Sequence, residues 1–411
     1  MSGEQDTGKG KLRRALTLPW LVFYGVGVTI GAGIFALIGQ VLARAGDNAP
    51  LAFLLAGLIA GVTGVSYAVL IRRYPKAGGE AVFVNRGLGP VFARVAGYGV
   101  VMTGIISSAV IALAFAGYLG ALFPVPETLL VMAVIVLLSA VAWFGVRESV
   151  LFAAAITLLE LGALIVVIAF GAPLLGDARA VAMTFVPEQE TVVYMGILSS
   201  GILAFFAFIG FEDIVNMCEE TVAAERTVPR AVYWTLGITL VVYVLLAVIA
   251  ALAADREAIV TSGAPMARLF EAVSGHSGKP LAATAAIAMV NGILVQIVMA
   301  SRVLYGMANE GIAPIWFAGV DPVRQTPARA TVFVGSVILG LALLFPLVRL
   351  AEATSLITLS VFALVNTALF ALARRSPERK LSRMRWWGLF GALLCLTLVG
   401  FQLLTGLAGS H

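Results

Sequence analysis

The sequence predicts an all-α integral membrane protein of about eleven transmembrane helices, arranged as a 5+5 inverted repeat with discontinuous helices 1 and 6. Three observations predict it. Charged residues make up 12% of the 411-residue chain and hydrophobic residues 61%, against about 25% charged in a soluble domain. Charge-poor runs recur along the whole length, each near or above the ~20 residues needed to cross a bilayer. Glycines crowd the first and the sixth of those runs.

The runs read as spans over residues 18–43, 50–71, 91–120, 128–145, 149–172, 192–218, 229–253, 281–308, 329–348, 351–373 and 386–406. Their recurrence marks spans rather than one signal peptide. The third, sixth and eighth are longer than a crossing needs, which calls for tilt or for turns outside the membrane. The connecting segments orient the chain. With the N-terminus inside, 21 of the 27 lysines and arginines fall on cytoplasmic segments, among them Arg72, Arg147, Arg226, Arg230 and Arg324. Six, including Arg44, Arg256 and Arg349, fall outside. That bias follows the positive-inside rule and supports the span count. The expected organisation is a cytoplasmic tail (1–17), a core (18–373) with repeats over about 18–172 and 192–373, and a segment (374–411) holding a basic cytoplasmic loop and one peripheral helix. The setting is a plasma membrane crossed many times.

Other function classes find little support. Cys218 and Cys395 are far apart and give neither a disulfide framework nor metal spacing. His276 and His411 fall in a loop and at the terminus, so no histidine metal or catalytic site is expected. No metal, cofactor or nucleic acid is implied. No Asp-x-x-x-Asp, His-Glu-x-x-His or nucleophile-elbow motif suggests an enzyme, and no Walker motif suggests direct use of ATP. No filter-like run suggests a channel.

The first span holds Gly25, Gly27, Gly31 and Gly33 within nine residues. Each glycine weakens a helix by about 1 kcal/mol relative to alanine. Broken backbone at membrane depth is tolerated only where it lines a cavity or is buried in protein. Small residues also let a neighbouring helix approach closely, and on this stretch alone both readings stand. The sixth span is interrupted too, with Gly196, Gly201 and Gly210 flanking Ala204-Phe205-Phe206-Ala207-Phe208-Ile209. These are corresponding positions of two five-span halves. Paired interrupted helices of this kind point to the site of a secondary transporter.

Four motifs carry a family resemblance. Ile30-Gly31-Ala32-Gly33-Ile34-Phe35 resembles the first-span motif of the amino acid–polyamine–organocation (APC) superfamily. Pro75-Lys76-Ala77-Gly78-Gly79-Glu80 resembles its loop after span 2. Phe208-Ile209-Gly210-Phe211-Glu212 resembles its broken sixth span. Ser301 to Gly311, followed by Pro314, resembles the end of its span 8. The motifs stand in family order across roughly residues 15–375. The resemblance implies a LeuT-type fold and transport of amino acids or related amines, often driven by protons or by exchange. Family members commonly have twelve spans where eleven are counted here, and often have tyrosines after the paired glycines where this chain has Ala81 and Phe83.

An amino acid brings a carboxylate and an ammonium into a dry place, where neither is stable unpaired. A broken helix offers free N–H groups at one half-helix start and free C=O groups at the other half-helix end. Thr29, Ile30, Gly31, Ala32 and Gly33 are therefore expected to receive the carboxylate. The carbonyls of Phe206, Ala207 and Ile209 are expected to receive the ammonium, partly on the family pattern. In the family an aromatic residue of span 6 covers the substrate. Phe206 or Phe208 could do so here, and packing is the alternative for each ring.

Glu160 lies mid-span with no basic residue close in sequence. Carboxylates in a span are costly and usually functional. Three readings stay open: proton carrier, cation ligand, or structural acid. Some proton-coupled relatives carry a lysine at the corresponding place. Glu212 matches an acidic family position linked to proton sensing or helix contacts, and Asp213 reads as a solvated acid. Arg302 and Glu310 read as interface anchors or a gate ion pair. Ser107, Ser108, Asn291, Gln296 and Ser301 read equally as cross-helix hydrogen-bonding groups and as groups that serve transport. No acid among the assigned pocket residues is placed to receive a cationic side chain, which leans towards a neutral or apolar amino acid. The expected partners are an amino acid, protons and the bilayer; the oligomeric state is not read.

Overall fold

A computed structural model describes residues 14–76, 78–145 and 150–408. The chain is helical nearly throughout, with α1 Leu18–Ala45, α2 Ala49–Arg73, α3 Gly79–Leu88, α4 Pro90–Gly120, α5 Glu127–Phe144, α6 Val150–Gly171, α7 Ala178–Met183 and α8 Thr191–Phe205. Then follow α9 Asp213–Asn216, α10 Ala224–Leu252, α11 Arg256–Thr261, α12 Pro265–Ser274, α13 Lys279–Asn309, α14 Ala328–Leu344, α15 Leu347–Arg375 and α16 Arg379–Ala408. Among the described residues the only strand-like pairing is a single bridge between Leu16 and Thr221. Residues 1–13 of the expected tail, Ala77 of the loop motif, Arg147 and residues 409–411 lie outside the described residues.

Eleven spans follow: α1, α2, α4, α5, α6, the interrupted α8–α9, α10, α13, α14, α15 and α16. By length and composition nine described segments can cross a membrane, one being the α1–α2 pair taken together; α14 adds a shorter apolar helix of 17 residues. The long third and eighth runs are unbroken helices of 31 residues each, so they tilt or project beyond the hydrocarbon. The sixth is long for another reason: it contains a break. The broken helices are thus the first and the sixth, each opening a set of five. Short helices α7, α11 and α12, which periodicity did not separate from loop, lie between spans. Prolines at the first turn of α1, α2, α4, α12 and α13 sit where a missing N–H costs nothing.

Polar side chains lock several spans together. Asn366 of α15 accepts a hydrogen bond from Ser66 (2.6 Å) and donates to Thr63 (3.0 Å), both on α2, and to Phe362 O (2.8 Å). Gly391 of α16 leaves room for the same asparagine. Cross-helix bonds of this kind contribute about 0.6–1.7 kcal/mol each in membrane proteins. Of the two readings for Ser107, Ser108 and Ser301, the cross-helix bond is not the one formed. Their hydroxyls donate to Gly104 O and Ile297 O of their own helices, because a helical serine reaches the carbonyl one turn back. Among the described residues, Arg302 and Glu310 enter no salt bridge, which leaves the anchor reading over the ion pair.

The two ends of the first span are held differently. At one end, Ala15 and Leu16 donate backbone hydrogen bonds to Glu220 O, and Val222 donates to Leu16 O. The approach to α1 is thereby tied to the segment after α9. At the other end, Arg44 pairs with Glu352 of α15 at 2.7 Å, and Arg256 pairs with Asp47. Tyr118 of α4 donates to Phe35 O (2.9 Å) and accepts from Met266 N (3.0 Å).

Candidate functional site

The two broken spans meet at their breaks. Helix α1 turns at Gly31, where φ is 10° and ψ is −151°, so the amides beyond it begin a new half-helix without a ladder partner behind them. Span 6 breaks after Phe205: a single 3₁₀ turn covers Phe206–Phe208, Ile209 is extended, and Gly210 has φ 123°. A Cβ on Gly33 would stand 2.7 Å from the Ala207 Cα, and one on Gly210 would stand 2.9 Å from Val28 O. The two breaks therefore cross in backbone contact, which only glycine permits. Gly31 faces open space instead.

The four glycines of span 1 thus divide between the two readings. Gly25 and Gly27 serve packing: Ile214 and Thr235 fill the space beside Gly25, and Thr157 fills that beside Gly27. Gly31 and Gly33 belong to the break. The structure brings the stretch Thr29, Ile30, Gly31, Ala32 and Gly33 beside the break that holds Phe206, Ala207 and Ile209.

Tyr243 of α10 was missed. Its fully buried hydroxyl lies 2.9 Å from Ala207 O, 3.1 Å from Thr29 O and 3.3 Å from Ile30 O. One phenol spans both breaks, and with one proton it can donate to only one carbonyl at a time. Nothing in the sequence Val242-Tyr243-Val244 signals this role. Tyr243→Phe leaves a buried carbonyl without a donor, at a cost of about 1–3 kcal/mol. The expected outcome is uptake reduced roughly tenfold, with a lower melting temperature for the purified protein. Unchanged uptake removes the bridge from the account.

The span 6 carbonyls are not equally available. Phe206 O accepts from Ile209 N (3.2 Å), and Ala207 O faces Tyr243. Among the described residues the Ile209 carbonyl has no partner. The rings sort as well. Phe205 and Phe211 pack on Phe362, with centroids 5.8 and 5.5 Å apart, and Phe208 packs on Tyr243 at 5.1 Å. Phe206 alone of the four has no ring partner among the described residues. The ring contact of Phe208 is with Tyr243, whereas Phe206 is buried without one among the described residues.

Glu160 lies on α6 and is 4% exposed. No hydrogen-bond donor or cation stands beside its carboxyl among the described residues. Glu212 accepts from Gly210 N at 2.9 Å and so caps the break. A small cavity of about 40 Å³ lies beside Ile209 and Gly210, and Glu80, Glu212, Asp213, Asn216 and Gln296 line it. Asp213, partly exposed, lines this cavity together with the carboxyls of Glu80 and Glu212. Glu80 of α3 is buried and accepts from Tyr67 (2.9 Å). Burial pushes its carboxyl above the usual range, against the opposing effect of the hydrogen bonds it accepts. The loop motif had marked Glu80 only as a family feature. The described residues hold no cluster of side chains suited to a metal ion.

The family model for amino acid permeases matches residues 16–408. The chain belongs to the amino acid permease family. An uncharacterized transporter of Mycobacterium tuberculosis is 32% identical, over 81% of this chain and 74% of the relative. The branched-chain amino acid permease BcaP of Bacillus subtilis is 26% identical, over 90% of this chain and 83% of the relative. A vacuolar cationic amino acid transporter of Arabidopsis thaliana is 27% identical, over 91% of this chain and 66% of the relative. The resemblance to the APC superfamily thus extends beyond four motifs to nearly the whole chain. This permease is a multi-pass membrane protein with an APC-type transporter fold, in a family of transporters rather than enzymes.

Proposed function

We propose that this permease carries amino acids or related amines across the plasma membrane by alternating access, coupled to protons. Its N-terminus is cytoplasmic, and the repeats over residues 18–172 and 192–373 rock about their shared site. The observation that carries the proposal is the crossing of two helix breaks beside open space at Gly31. The amides at and beyond the break, Gly31, Ala32 and Gly33, receive the substrate carboxylate, with Thr29 and Ile30 lining the site on the other side of the break. The Ile209 carbonyl receives the ammonium, with the Phe206 and Ala207 carbonyls behind it, and Phe206 closes over the substrate. Those contacts are to groups all amino acids share. The relatives' names, spanning branched-chain and cationic amino acids, fit a common main-chain site with variable side-chain pockets.

Glu160 is the proton carrier in this reading, and Glu212 links protonation to the span 6 break. Support comes from burial without a counter-charge, since an intramembrane carboxyl of that kind is a functional group by default. The second reading is an exchanger without proton coupling, favoured by the hydrogen bond through which Glu212 serves the fold. Uptake of labelled amino acids into proteoliposomes separates the two. Proton coupling predicts uptake that rises when an inward proton gradient is imposed. Uptake that responds only to preloaded amino acid assigns exchange.

A further inference from the structure

Two hollows outside the broken-helix site lie end to end along α10. The first is an apolar groove of about 570 Å³ between Leu18, Phe23 and Val26 of α1, Leu161 and Ile165 of α6, and Trp234 of α10. It opens sideways from the fold, with Trp234 60% and Ile165 59% exposed. The second is a hollow of about 380 Å³ bounded by Arg72 at the end of α2 and by Glu225, Arg226 and Arg230 in the first turns of α10. Among the described residues none of these three arginines has a carboxylate within salt-bridge distance. Three positive charges thus face one negative charge.

The hollows are parts of one surface. Arg226, Arg230, Trp234, Ile238 and Val242 recur every four residues, which places them along one stripe of a helix. The stripe runs from the basic hollow into the apolar groove, with Arg230 one turn from Trp234. The start of α1, the end of α2 and the start of α10 all lie on the same side of the membrane by the alternation of spans.

We propose that this stripe binds an anionic phospholipid, with its phosphate among Arg72, Arg226 and Arg230 and one acyl chain in the groove. A groove lined by carbon at membrane depth loses dispersion contacts unless a chain fills it. Guanidinium groups bind phosphate oxygens in a two-pronged fashion that a lone ammonium cannot match. Tryptophan suits the boundary between the two parts. The positive-inside rule accounts for arginines at cytoplasmic ends, but not for three of them round one hollow in line with a groove. A zwitterionic choline lipid brings its own cation, which the arginines repel, so the site discriminates by headgroup. The bound chain rests on residues 18–26, the half of α1 that moves during transport. That consequence depends on the transport reading, whereas the binding does not.

The test uses the purified full-length protein with mixed phosphatidylglycerol and phosphatidylcholine, the retained lipids being counted by native mass spectrometry. The wild-type protein retains phosphatidylglycerol preferentially. The triple substitution Arg72→Gln, Arg226→Gln, Arg230→Gln loses that preference, by about fivefold per arginine, the scale of one basic side chain at an anionic surface. The control Arg379→Gln, Arg383→Gln keeps it. No preference in the wild type, or equal loss in the control, overturns the proposal. A second measurement leaves every arginine in place. Brominated acyl chains on phosphatidylglycerol quench Trp234, read as the emission absent from Trp234→Phe, more than the same chains on phosphatidylcholine. Equal quenching by the two lipids overturns the proposal as well. Neither readout involves transport, so either proposal can fail alone.

Discussion

Gly33→Val abolishes amino acid uptake while the protein still inserts in the membrane. The smallest side chain at this position already places a Cβ 2.7 Å from the Ala207 Cα, and backbone cannot swing aside as a flexible side chain can. Valine enlarges the obstruction and separates the two breaks. Overpacking at a tight contact costs about 1–3 kcal/mol; with backbone on the far side the upper end applies, and the strain is relieved by parting the two breaks. Gly237→Ala on α10 is the control, because a Cβ there meets nothing within 4 Å, and it leaves uptake unchanged. Initial uptake rates at matched protein density check both. Normal uptake by the Gly33 variant contradicts a site built where the breaks cross.

Glu160→Gln has the second large effect. It preserves the shape of the side chain and removes the exchangeable proton. As proton carrier, Glu160 makes uptake depend on the gradient, so the variant loses all stimulation by an inward proton gradient and still exchanges labelled for unlabelled amino acid. Parallel uptake and exchange measurements on one preparation read the two activities. Loss of both, together with a lower melting temperature, assigns Glu160 to structure. Retained stimulation moves the proton to another group, with Glu80, Glu212 and Asp213 round the small cavity next to be replaced.

Hydropathy made the spans legible because bilayer thickness fixes how long an apolar run must be. The paired breaks were legible because glycine in a span is costly and so marks a purpose. The purpose of each glycine was not legible: Gly25 and Gly27 give way to Ile214, Thr235 and Thr157, whereas Gly33 gives way to the other break. Only the partner across the contact distinguishes them. Tyr243 escaped for a similar reason, since its role depends on carbonyls contributed by residues 214 and 36 positions away and no local pattern encodes such distances. The phenylalanine cluster was visible as composition. Its division into packing rings and one unpartnered ring required Phe362 and Tyr243, which other spans supply. That Asp213 shares a cavity with Glu80 was not legible, because Glu80 stands on α3, before the third span, and Asp213 on the sixth.

The central claim is that the crossing of the two breaks binds the main-chain groups of an amino acid and carries them across the membrane. Counterflow tests it most directly, because it requires binding and carriage but no particular driving force. Proteoliposomes are loaded with an unlabelled amino acid mixture, diluted into trace labelled amino acids, and followed for transient accumulation. The account predicts saturable accumulation that amino acid methyl esters and N-acetyl amino acids fail to compete away, since each lacks one of the two charges the site receives. Equal competition by those derivatives, or no accumulation of any amino acid, contradicts it.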